Sequence, residues 1–123
     1  MFLTIEQIEK MTPRELQSAL QQLCFKVNEA DEKALIASIS LKELKSYKDI
    51  KFAEIVRRQK GASIRQNELY AKIDPEWIQF LRTICQAEVE FEKAEADKKK
   101  QNRLWETTRS ILSSRTAEMR NGL

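Results

Sequence analysis

The chain has 123 residues, with 22 basic and 19 acidic side chains and a net charge of +3 at neutral pH. Its two glycines and two prolines provide too few turn residues for a β-rich fold, and they exclude the glycine-rich loops that hold nucleotides. Because the chain has no histidine, it lacks the commonest general base and metal ligand. We therefore expect no enzymatic activity, no metal and no cofactor.

The first third of the sequence contains two helix start signals. Thr4, with Gln7 three residues later, has the pattern of a capping box and predicts a short helix. The segment 12–15, Thr-Pro-Arg-Glu, places a capping hydroxyl, a proline and a glutamate in the order typical of a second helix start. Residues 1–30 are thus predicted to form N-terminal helices. The polar stretch 28–31 either ends the second helix or is an exposed turn of it, and the pattern leaves both open.

Residues 31–60 are predicted to form the first long helix, with apolar residues interleaved among polar ones. Gly61 follows a basic last turn and is expected to take the left-handed conformation that commonly ends a helix. The apolar positions expected to mark the helical pattern are Leu35, Ile39, Leu44, Tyr47 and Ile55.

The remaining residues predict a turn with a short helix at 61–74 and a last long helix at 75–120. Ser63 and Asp74 are the expected N-caps of these two helices, and Trp77 is expected to pack in the core. The whole chain, 1–123, is therefore predicted to be a single all-α domain. Its expected architecture is a coiled-coil-like antiparallel hairpin of two long helices, with short helices at the N-terminus and in the turn.

Apolar spacing along the last helix predicts a packing seam through Ile78, Leu81 and Cys85. Cys24 and Cys85 have no nearby cysteine, and we expect both to be buried thiols in a reducing cytoplasm, with a disulfide between them as the alternative. No apolar run reaches membrane-spanning length, and the N-terminus lacks the pattern of a signal peptide. We therefore expect a cytoplasmic protein that does not bind membranes.

Four cations flank Gly61 and form the first candidate site: Arg57, Arg58, Lys60 and Arg65. Cations at a helix end, beside the free amide groups of the next helix start, form a site for phosphates. Single-stranded nucleic acid is the ligand that this pattern suggests. The alternative is that the basic residues only compensate the negative end of the helix dipole.

A second candidate surface lies near the C-terminus, at Trp105, Ile111 and Leu112. These side chains could form a contact with a protein partner or between subunits, with nearby arginines at its rim. The other interpretation is that an arginine and Trp105 stack on nucleic-acid bases. Because a hairpin of two helices buries little surface, we also expect a homo-oligomer.

Three segments carry a resemblance to a known family: 55–61 (Ile-Val-Arg-Arg-Gln-Lys-Gly), 74–77 (Asp-Pro-Glu-Trp) and 105–115 (Trp-Glu-Thr-Thr-Arg-Ser-Ile-Leu-Ser-Ser-Arg). Their order, over residues 41–119, resembles the small helical proteins of tailed phages related to the recombination mediator UvsY. That resemblance implies an oligomer that binds single-stranded DNA and helps load a RecA-like recombinase onto strands coated by single-strand-binding protein.

The family's basic segment would fall on Arg57, Arg58 and Lys60. A phage-encoded protein of this kind would act in the cytoplasm of the bacterial host. The alternative function is a helical adaptor or inhibitor that captures a protein partner through Trp105, Ile111 and Leu112, as a phage assembly or anti-defence factor would, without binding DNA.

Overall fold

The computed structural model describes residues 3–122 and contains four helices. They are α1 (Ile5–Glu9), α2 (Pro13–Arg58), α3 (Ile64–Lys72) and α4 (Pro75–Arg120). Helices account for 88% of the structure, no strand occurs between residues 3 and 122, and the long helices α2 and α4 pack against each other. The all-α hairpin predicted from the sequence is confirmed.

Contacts divide the chain into two compact units. The terminal unit comprises Met1–Ala34 and Ala94–Leu123, and the central unit comprises Leu35–Lys93. In the central unit α2 and α4 run antiparallel, because Lys51 contacts Glu76 near the turn and Lys45 contacts Glu88 farther from it. That the chain is one domain stays a prediction.

The predicted capping hydrogen bonds form at the starts of α1 and α2. The amide of Gln7 donates to Thr4 Oγ1 at 3.2 Å, while Gln7 Oε1 accepts from the amide of Thr4 at 3.1 Å. Thr12 Oγ1 accepts from the amide of Glu15 at 3.3 Å and donates to its carboxylate at 3.0 Å. Each pair satisfies amide groups that a helix start leaves free, which explains why the sequence patterns located both starts.

α2 passes through residues 28–31 without a break. Of the two alternatives left open by the sequence, the structure shows the continuous helix, so the second N-terminal helix and the first long helix are one element. The physical reason is that no glycine or proline follows Pro13 until Gly61. Ala30 is buried within the polar stretch and keeps it in contact with the core.

The buried side of α2 combines small and large apolar side chains. Its buried positions recur at helical spacings of three, four and seven, as in a coiled coil, through Leu16, Ala19, Leu23, Ala30, Ala34 and Leu41, and Ile55 follows two heptads after Leu41. Of the apolar positions named from the sequence, Ile55 is buried, whereas Leu35, Ile39 and Tyr47 are exposed.

The core of the central unit lies beside the turn. Ile55, Ala71 and Trp77 are buried together, which confirms the prediction for Trp77. The indole ring of Trp77 lies 4.9 Å from the ring of Phe52 and 5.9 Å from that of Phe80, measured between centroids. These aromatic contacts join the last turns of α2 to the first turns of α4.

The packing seam of α4 differs from the predicted one. Ile78 and Cys85 are exposed, whereas Trp77 and Ile84 are buried, so the inner face is turned by about one residue. Cys24 and Cys85 are both free and exposed. The expectation of buried thiols is wrong, and the alternative of a disulfide is wrong as well.

Candidate nucleic-acid interface

The chain between α2 and α4 is fixed by side-chain hydrogen bonds. The amide group of Gln59 donates to the carbonyl oxygen of Ile55 and to Asp74 Oδ2, both at 3.1 Å. Asp74 Oδ1 accepts from the amide of Glu76 at 2.9 Å and so caps α4 as predicted. Asp74 thereby ties the end of α2 to the start of α4.

Backbone amides in the turn are also satisfied by side chains of α3. The amide of Gly61 donates to Asn67 Oδ1 at 2.6 Å, and that of Ala62 donates to Gln66 Oε1 at 2.7 Å. The amide of Gln66 donates to Ser63 Oγ at 3.2 Å, which confirms Ser63 as an N-cap. The turn is therefore held in one conformation before any ligand arrives.

Gly61 differs from its predicted role. Its φ is not positive, so the expected left-handed conformation is wrong. A Cβ atom at this position would lie 2.4 Å from Asn67 Oδ1 and 3.3 Å from the backbone nitrogen of Asn67. Glycine is required because the side chain of Asn67 must come close enough to accept the hydrogen bond.

Arg58, one of the four predicted cations, is engaged by a carboxylate. Its guanidinium group donates to both carboxylate oxygens of Glu76, and Lys51 Nζ donates to Glu76 Oε1 at 2.8 Å. The hydrogen bonds from Lys51 and Arg58 hold the pKa of Glu76 below its usual value. The same bonds raise the pKa of Lys51 and that of Arg58.

Arg57, Lys60 and Arg65 are exposed, and none of their side chains makes a hydrogen bond or an ion pair within the described part of the chain. We call these three residues the basic turn. Arg57 lies in the last turn of α2, Lys60 in the connection and Arg65 in the first turn of α3. Their charges are available to an anion because no carboxylate of the structure neutralises them directly.

Two residues beside the basic turn were not identified from the sequence. Lys72 is exposed in the last turn of α3, seven residues after Arg65, and this spacing places both on one face of the helix. Tyr70 is also exposed and carries an aromatic ring on which a base could stack. The interval of seven residues was the signal that could have indicated Lys72.

The second predicted surface, in the terminal unit, is partly used for packing. Trp105, Ile111 and Leu112 are each half-buried. The guanidinium carbon of Arg109 lies 4.8 Å from the Trp105 ring centroid, and the guanidinium group of Arg115 donates to the carbonyl oxygen of Glu9. These contacts engage two C-terminal arginines in intramolecular interactions.

Leu112 also borders an open depression on the last turns of α4. Its other lining residues are Arg109, Ser113, Thr116, Ala117, Arg120 and Asn121. The predicted partner contact therefore retains an accessible apolar side chain with arginines beside it.

Searches for similar proteins among family models, curated proteins and solved structures gave no match. No helix in the described part of the chain is long and apolar enough to cross a membrane. Among residues 3–122, no group of three cysteine, aspartate or glutamate side chains is arranged to hold a metal ion. The geometry and charge of the basic turn are thus the basis for a functional assignment.

Proposed function

We propose that the protein binds single-stranded DNA without sequence specificity through the basic turn. The observation that carries the proposal is the exposure of Arg57, Lys60 and Arg65 without a carboxylate partner, on a turn whose backbone is fixed by side chains. Phosphates bind cations most favourably when the cations are already positioned and unpaired. Arg58 is assigned to joining the helices, since Glu76 already holds it.

A single strand is proposed rather than a duplex because the basic turn is small and the adjoining helix α3 carries an exposed tyrosine, Tyr70. Phosphate contacts would come from the three cations and from Lys72, while Tyr70 could stack on an unpaired base. Few contacts per chain imply modest affinity. An oligomer would multiply these contacts along one strand, and we include oligomerisation in the proposal.

Fluorescence anisotropy with a labelled single-stranded oligonucleotide tests the assignment. Four phosphate contacts, from the basic turn and Lys72, predict a slope of about −2.8 for the logarithm of the binding constant against that of salt concentration, or roughly fiftyfold weaker binding between 50 and 200 mM salt. The variant Arg57→Gln/Lys60→Gln/Arg65→Gln should lose most of the affinity and most of the slope.

The matched control is Lys48→Gln/Arg82→Gln/Lys93→Gln, which removes the same charge from other exposed residues of the central unit. It should keep the slope and most of the affinity. Absence of binding at low salt, or equal loss in the two triple variants, would contradict the proposal.

The resemblance to the UvsY-related proteins extends the proposal to recombination mediation. In that case the protein should shorten the delay before a RecA-like recombinase hydrolyses ATP on DNA coated with single-strand-binding protein. The triple variant of the basic turn should not shorten the delay. An unchanged delay with the native protein would limit the function to DNA binding.

A second candidate function is capture of a protein partner through the C-terminal surface. It is favoured by the half-buried Trp105, Ile111 and Leu112 and by the depression that Leu112 borders. Substituting Trp105→Ala should then abolish co-purification of the partner and leave oligonucleotide affinity unchanged. Circular dichroism would verify that the variant remains helical.

A further inference from the structure

The outer face of α2 in the central unit carries five exposed apolar residues, one of which, Tyr47, also contacts the ring of Phe80 at 6.2 Å between centroids and donates a hydrogen bond to Glu54. Its exposed residues are Leu35 at 60%, Ile36 at 57%, Ile39 at 47%, Tyr47 at 40% and Ile50 at 55% of full accessibility. They lie opposite the buried positions Leu41 and Ile55 of the same helix. We call these five residues the outer stripe.

The outer stripe is large for the surface of a monomer. Each of its residues leaves roughly 100 Å² accessible, so the stripe presents about 500 Å², within the range of patches that serve as interaction sites. Two such stripes packed together would bury about 1,000 Å², which is the lower limit for a specific interface before flanking residues are added. The area of the outer stripe is therefore sufficient for an interface with the outer stripe of a second copy of the chain.

Three residues of the outer stripe fall on the positions of a helix-pairing seam. With Ile36 and Ile50 at a positions, Ile39 lies at a d position, and Leu35 and Tyr47 flank the seam at g and e. The a position between Ile36 and Ile50 is occupied by Glu43, so the seam is apolar towards its two ends. Every copy of the chain carries such a helix.

We propose that two copies of this chain pair antiparallel through the outer stripe about a two-fold axis. Antiparallel pairing of a with d positions places Ile39 of one copy against Ile50 of the other. The same register places Glu43 beside Ser46 of the second copy, one helical turn away from the Glu43 of that copy. Each of these contacts occurs twice because the axis exchanges the two copies.

The charges beside the stripe favour the antiparallel direction. In that direction Lys42 of one copy lies beside Asp49 of the other, and both residues are exposed and without an ion pair in the described structure. A parallel pair would instead place Asp49 beside Glu54 of the second copy, which is a repulsive contact. Opposite helix dipoles also favour antiparallel neighbours.

This pairing deepens the oligomeric part of the proposed function, and its test uses no nucleic acid. Sedimentation equilibrium from 5 to 200 μM should give twice the 14.4 kDa chain mass, or a multiple of it. Ile39→Lys should halve that mass, because a charge would be buried in the seam. Val89→Lys changes an equally exposed apolar residue of α4 and should leave the mass unchanged.

Charge exchange tests the direction of pairing. Lys42→Glu and Asp49→Lys should each weaken the dimer by roughly fivefold, and the double variant should restore it. A native mass of one chain at every concentration would overturn the pairing, as would an unchanged mass for Ile39→Lys. Failure of the double variant to recover would overturn the antiparallel register. A monomeric native mass would remove the oligomeric part of the proposed function but would leave DNA contact through the basic turn to the anisotropy test, so the two proposals fail separately.

Discussion

The guanidinium group of Arg58, in the last turn of α2, donates to both carboxylate oxygens of Glu76, in the first turn of α4. Lys51 completes the cluster from two helical turns earlier in α2. Glu76 also lies at the positive end of the α4 dipole, which favours its ionised form. One carboxylate thus joins the two long helices and decides which cations beside the turn stay available.

Acidification should weaken the link made by Glu76. Its pKa in the folded protein lies below the ordinary 4.5, so the carboxylate stabilises the fold above pH 4.5 and loses that contribution as the pH falls through the lowered value. Urea unfolding at pH 7 should show Glu76→Gln to be less stable than the native protein, and the difference should shrink by pH 3. Glu90→Gln, an exposed control on the same helix, should show no such trend. A difference that is the same at both pH values would contradict the role of Glu76.

Removing the charge of Glu76 should strengthen DNA binding. The variant Glu76→Gln frees Lys51 and Arg58, which lie next to the basic turn and would become available to phosphates. Each added phosphate contact should steepen the salt slope by about 0.7. Anisotropy titrations at several salt concentrations measure this, with Glu90→Gln as the control for net charge. Equal slopes in both variants would show that neither cation reaches the bound strand.

Gly61→Ala should destabilise the protein by about 1–2 kcal/mol, because the new methyl group would displace the side chain of Asn67 and weaken its hydrogen bond. Asn67→Ala removes both the bond and the obstruction. Gly61→Ala should therefore cost much less in the Asn67→Ala background than in the native protein, as measured by urea unfolding. Additive costs would show that some other contact requires glycine here.

Trp77→Ala should cost about 3–5 kcal/mol, since the indole packs against Phe52 and Phe80 and is almost inaccessible to solvent. Phe80→Ala should cost less because Phe80 is only half-buried. Thermal unfolding followed by circular dichroism compares the two variants. A similar loss of stability in both variants would show that Trp77 is not the main buried side chain of this core.

The sequence predicts the helix starts of this fold because each is encoded by a few neighbouring residues. Thr4, Thr12, Ser63 and Asp74 all accept the capping hydrogen bonds that their patterns indicate. The position of Trp77 follows from the same local logic, since it stands next to a cap and has no polar role. Local chemistry was sufficient for these features.

Which face of α2 is buried could not be predicted, because both faces carry apolar residues. Ala34 on the inner face and Ile36 on the outer face both fit a helical pattern, and size alone favours burying the isoleucine. In the structure Ala34 is buried and Ile36 is 57% exposed, the reverse of that order. The choice depends on α4, which a pattern within α2 does not describe.

The candidate site was predicted only in part for a related reason. The cluster of cations around Gly61 is visible in the sequence, but the partner of Arg58 lies 18 residues away on another helix. The role of Gly61 depends likewise on Asn67, six residues later. Contacts between helices therefore decide that Arg58 is engaged by a carboxylate while the three cations of the basic turn remain available.

The side-chain bonds that hold the amides of Gly61 and Ala62 have a consequence for how the turn opens. Loop amides usually exchange their hydrogens with solvent quickly. These two can exchange only when the hydrogen bond to the side chain of Asn67 or Gln66 breaks. Both acceptors belong to α3, so loosening of the connection and unwinding of that short helix form a single cooperative event. Deuterium should then enter the loop and α3 at matching rates.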